Sequence, residues 1–129
     1  MPEDFAGQDL SGVYLVNADL TGANLTSANL ARANLRGADQ TGAYLTGANL
    51  VRAALHNADL NGANLTDANL YGADLCDGSF SPDLHKIYSP GVPYKPGADL
   101  TGAYLLGADL RGANLTRVVG ADFTGAKLE

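Results

Sequence analysis

Cys76, His56 and His85 are the chain's entire supply of thiol and imidazole, so any nucleophilic or soft-metal chemistry must pass through them. A thiol beside an imidazole base is the start of a cysteine nucleophile, and Cys76 would meet His85 if the segment carrying it folded back. No third residue is identifiable to orient that imidazole, and a surface cysteine near a loop is usually inert. With two histidines, a metal site would have to recruit carboxylates. One cysteine excludes an internal disulfide. The 16 glycines recur at regular spacing and never form a loop between a strand and a helix, so no phosphate cradle is present. The expectation is therefore no catalytic residue, no cofactor-binding residue and no metal ligand. What remains is recognition chemistry: arginines, tyrosines, and aspartates at intervals of 20, such as Asp19, Asp39 and Asp59.

Those intervals follow from the elements that carry the side chains. Leu or Phe stands at every fifth position from Phe5 to Phe80, with Gln40 as the one exception, and again at Leu100, Leu105, Leu110, Leu115, Phe123 and Leu128. On an α-helix, a five-residue step rotates each leucine by roughly 140°, which winds them around the cylinder. On a flat strand, an odd step sends alternate leucines to opposite faces. Only a chain that turns a corner after each short segment aims them all inward. Ala two before the centre alternates small with large in the interior. Asp or Asn just before the centre can bond to backbone at a bend, and Gly two after it suits a turn that needs positive φ.

Units such as ADLTG, ANLTS, ANLRG and AYLTG resemble the pentapeptide-repeat family, over nearly the whole chain outside 81–97. The resemblance implies an all-β fold, a right-handed quadrilateral β-helix of about five coils with four units per coil. Residues 20 apart then stack in columns about 4.8 Å apart. Some relatives in the family imitate duplex DNA and bind bacterial DNA gyrase, so the resemblance also raises DNA mimicry.

The 129 residues form a single domain on this reading: regular coils at 3–80 and 98–116, an insertion loop at 81–97, and a partial coil at 121–129. The net charge of −6 is largely architectural, because most aspartates occupy the repeat's own Asx position. No apolar run approaches about 18 residues and no basic-then-apolar leader opens the sequence, so a soluble cytoplasmic protein without membrane contact is expected.

Function is sought where the pattern breaks. Gln40 points an amide into the leucine stack, where backbone or a trapped water would have to satisfy it. The segment 81–97 keeps the five-residue phase but offers His85, Pro90 and Lys95 as centres. It reads as a proline-stiffened excursion presenting His85, Lys86, Tyr88, Tyr94 and Lys95, with Leu100 resuming where the next coil begins. Arg117 to Gly120 reads as a three-residue bulge at a corner. Nothing after Leu128 except Glu129 covers the last coil, so a homodimer through that end is expected.

On the outside, Ala31, Val51, Tyr71 and Leu106 are expected in one column, flanked by Arg32 and Arg52, with Arg36, His56, Cys76 and Arg111 in the next. Apolar residues mixed with Tyr and Arg are what protein interfaces concentrate. A column of Thr26, Thr46, Thr66 and Thr101 offers a hydroxyl ladder that ordinary β-surface filler explains as well as an ice-matching surface does. Asp19, Asp39 and Asp59 imitate a row of phosphates, interrupted by Ser79 and Asn114. The function expected is a non-catalytic rigid scaffold that binds another protein through the Val51 and Tyr71 wall and the loop, without contacting nucleic acid directly. The alternative is a DNA mimic that binds gyrase through Asp19, Asp39 and Asp59.

Overall fold

The computed structural model describes residues 3–76 and 97–129. Parallel bridges link residues 20 apart into four walls. The Asp4 wall stacks Asp4, Asn24, Tyr44, Asn64 and Tyr104, and the Asp9 wall stacks Asp9, Asn29, Asn49, Asn69, Asp109 and Lys127. The Tyr14 wall stacks Tyr14, Asn34, Ala54, Asp74 and Asn114, and the Asp19 wall stacks Asp19, Asp39, Asp59, Asp99 and Val119. The fold is the right-handed quadrilateral β-helix that the resemblance to pentapeptide repeats implied. Among the described residues no helix is long and apolar enough to cross a membrane.

Each five-residue unit places all five of its backbone N–H groups, which explains the residue types it uses. In the unit around Leu25, the Leu25 N–H donates to Tyr44 O in the next coil at 2.7 Å, and the Ser27 N–H to Thr46 O at 2.9 Å. The Asn24 N–H donates back to Glu3 O at 2.8 Å, and the Ala28 N–H closes the corner onto Leu25 O at 3.0 Å. Only the residue after the centre is left, and the Asn24 side chain accepts from the Thr26 N–H at 3.1 Å. An Asx residue before the centre is thus the acceptor the main chain lacks. The third residue of the corner has positive φ, as at Gly22 (66°) and Gly42 (66°), which a type II turn requires.

Among the described residues, the leucines at the unit centres and the alanines two before them, from Leu20 to Leu110, fill the interior and are almost fully buried. Each buried leucine contributes about 1.5–3 kcal/mol, so a narrow core without tryptophan suffices. Phe5, Leu10 and Leu15 in the first coil, and Leu115 and Phe123 in the last, are only partly buried, because each has a covering coil on one side. Gln40 is buried in the leucine stack.

Two register expectations are corrected. Asp59 pairs with Asp99, and the Ala98 N–H donates to Leu75 O at 2.8 Å, the bond that elsewhere closes a corner over three residues. Residues 97 and 98 therefore complete the corner begun at Leu75 and Cys76, and the columns continue as though one whole circuit were skipped. Leu106 consequently stands over Thr66 rather than Tyr71, Arg111 over Tyr71 rather than Cys76, and Thr101 over Asn61 rather than Thr66. The second correction concerns 117–120. Val119 pairs with Asp99 in the ordinary 20-residue register, whereas Lys127 pairs with Asp109, 18 residues earlier. The chain loses two residues after Val119 instead of gaining a bulge before it.

Candidate functional site

Three surface features follow from this stacking. The first is the corner between the Asp9 and Tyr14 walls. It holds Ala31, Val51, Tyr71 and Arg111 in one column, with Arg32, Arg52, Gly72 and Gly112 beside them. Arg32 and Arg52 have φ of 58° and 55°, in the left-handed region that glycine fills at most corners. The Arg52 side chain runs along the axis over Gly72, where an added Cβ would come within 3.2 Å of Arg52 Cγ. Tyr71 is 45% exposed. Arg111 reaches sideways to Asp109 in a two-point pair, Nε to Oδ1 at 2.9 Å and Nη2 to Oδ2 at 2.7 Å. Hydrogen bonds from the Arg111 side chain and N–H hold the Asp109 carboxyl down at about 2. Arg36 lies one corner further round, in a cleft shared with Tyr14 and Asn34. Leu106, 64% exposed, stands apart on the Thr66 corner.

The second feature is the Asp19 wall. Asp19, Asp39 and Asp59 stack as the sequence suggested, and Asp99 occupies the next rung. Asn114 belongs to the Tyr14 wall and interrupts nothing here, and Ser79 lies outside the described residues. One oxygen of each carboxylate is committed to its own turn: Oδ1 accepts from the N–H of Thr21, Thr41, Asn61 and Thr101 in turn. The Thr21 and Thr101 side chains also bond to Asp19 and Asp99 and keep both carboxyls ionised below the usual range. A shallow recess of about 380 Å³ runs along Asp39, Asp59, Asp99 and Gly97.

The third feature adds an unexpected carboxylate to a column that the sequence placed, His56 beneath Cys76. On the corner after the Tyr14 wall, Cys76 stacks above His56, and both meet Asp74. His56 Nε2 lies 2.9 Å from Asp74 Oδ2. Asp74 Oδ1 accepts from the Cys76 N–H at 3.4 Å. Burial pushes the Asp74 carboxyl up, but bonds from the Cys76 thiol and N–H, with the charge and hydrogen bond of His56, hold it below the ordinary value. Cys76 was expected to look toward His85, which lies outside the described residues together with Lys86, Tyr88, Tyr94 and Lys95. The overlooked signal is Ala54. It is the only alanine at an Asx position in the chain, and it pairs with Asp74.

Residues 4–39, 41–77 and 97–129 match Pentapeptide repeats, in 8 copies. The chain belongs to the pentapeptide repeat family. A pentapeptide repeat protein from the Arabidopsis thaliana thylakoid lumen superposes with a TM-score of 0.76 at 31% identity, covering 96% of this chain and 72% of its own. Another from the cyanobacterium Cyanothece 51142 superposes with a TM-score of 0.63 at 34% identity, over 87% of this chain and 60% of that one. No curated protein matches. The pentapeptide repeat is a structural repeat fold, and in this member the described interior is occupied by leucine and alanine apart from Gln40.

Proposed function

We propose that the chain is a rigid, non-catalytic scaffold that holds another protein against the corner carrying Arg32, Val51, Arg52 and Tyr71. The carrying observation is the left-handed backbone at Arg32 and Arg52. Asn and Asp tolerate that conformation through local hydrogen bonds, whereas arginine has no such compensation and is disfavoured by about 1–2 kcal/mol. Stacking the two guanidinium side chains on adjacent coils adds like-charge repulsion. Backbone strain retained at an exposed site points to use. Arginine and tyrosine around an apolar residue are also the residues on which binding energy concentrates, and an acidic partner surface complements them.

The experiment is affinity capture from the native host. Arg52→Gly is expected to melt at a higher temperature than wild type and yet capture less partner. Val51→Asp combined with Tyr71→Asp is expected to abolish capture at unchanged helical-stack stability. Capture that survives both removes this corner from consideration.

A second reading rests on Asp99, which lengthens the carboxylate ladder to four rungs about 4.8 Å apart. Such a row suits a protein that ordinarily binds duplex DNA, with bacterial DNA gyrase as the one to assay. Changing Asp19, Asp39, Asp59 and Asp99 to Asn keeps every turn acceptor and removes the charge. Inhibition of supercoiling by wild type alone would favour this reading over the arginine corner.

A further inference from the structure

We propose that His56, Asp74 and Cys76 form a binding site for a divalent transition-metal cation of the zinc class. One ligand atom from each residue lies within 4.8 Å of the other two, and all three residues are partly buried. Ligand atoms in a tetrahedral zinc shell stand about 3.5 Å apart, so rotamer adjustment without backbone movement closes the site. Imidazole, carboxylate and thiolate together select zinc or cobalt over magnesium or calcium, which prefer oxygen alone. Three protein ligands leave the fourth position to water.

A separate observation points to a ligand. His56 Nε2 stands 2.9 Å from Asp74 Oδ2, so this ring nitrogen and the carboxylate already converge where a shared cation would sit. The repeat builds the site from backbone alone: Asp74 and Cys76 are fixed by one turn, and His56 sits one coil below at the same corner. On binding, the metal–sulfur bond replaces the S–H bond of Cys76, and the proton is released to solvent.

The test titrates the full chain with Zn²⁺ by calorimetry and with Co²⁺ by absorption. Supporting results are one equivalent bound and a sulfur-to-cobalt charge-transfer band, with Zn²⁺ slowing alkylation of Cys76. Cys76→Ser and His56→Gln are expected to lose the band or weaken binding by about tenfold or more. Each should melt like wild type in the presence of a chelator. Asp74→Asn, which preserves the turn acceptor, provides a third variant should either of these fail to fold, and should weaken binding likewise. No cobalt–sulfur band with unprotected Cys76 in wild type, or variants that titrate like wild type, would overturn the site.

Discussion

Gln40 places a carboxamide where the stack otherwise places leucine, and neither Nε2 nor Oε1 finds a hydrogen-bond partner. The sequence marked the residue as an amide in the leucine stack, with interior backbone or a trapped water as its expected partner, and backbone does not supply one. The Gln40 carbonyl is itself already engaged, accepting from the Ala43 N–H that closes its own corner at 2.9 Å. Gln40→Leu should therefore stabilise the protein by about 1–3 kcal/mol, read as a higher melting temperature. Gly97 presents the opposite case. A Cβ there would lie 2.8 Å from Leu75 O and 2.9 Å from both Thr116 O and Arg117 O, all backbone atoms that cannot swing aside. Gly97→Ala should lower the denaturant midpoint, by about 1–3 kcal/mol in stability, with the slope of the transition unchanged.

At the scale of the five-residue element, the carboxylate before each centre is the part most sensitive to acid. The carboxyls of Asp9, Asp19, Asp99, Asp109 and Asp122 all lie below the ordinary 3.8, held there by Ser11, Thr21, Thr101, Arg111 and Thr124 respectively. A carboxyl depressed in the folded state contributes stability above its unfolded pKa and loses it as pH falls through the folded one. Denaturant midpoints should thus be steady from about pH 7 to about pH 5 as far as these groups are concerned, then fall below about pH 4 and keep falling toward about pH 2. Asp109→Asn keeps the turn acceptor but loses the pairing with Arg111, and should flatten the lowest part of that curve. The element itself was legible from spacing, since no helix or flat strand accommodates a period of five. The stacking of His56 and Cys76 was legible from the 20-residue offset, but the part of Asp74 was not, because the reach of a wall side chain onto the next corner is not set by the repeat.

For the whole molecule, the leucine period settles the architecture but not which wall follows the gap. Every wall uses the same unit, so a sequence in phase by fives is compatible with skipping one, two, three or four sides. Only the pairing of Asp59 with Asp99 decides. That is why Asp99 was not counted in the carboxylate ladder, and why Leu106 and Arg111 were each placed one corner too far round. Since Ala98 closes the corner opened by Leu75, deleting 77–96 should leave the far-ultraviolet spectrum unchanged and shift the melting temperature by only a few degrees. A collapse of the fold on that deletion would contradict the joint.

The joint at Cys76 and Gly97 also makes the molecule an indexed shaft. An insertion of 20 residues passes through it without rotating anything downstream. Five residues added within a coil, away from this joint, would instead advance every later side chain by about a quarter turn, carrying Arg111 and Asp99 onto new faces while the leucines still pointed inward. Chain length alone can thus re-clock the exterior of this protein without altering one buried atom type.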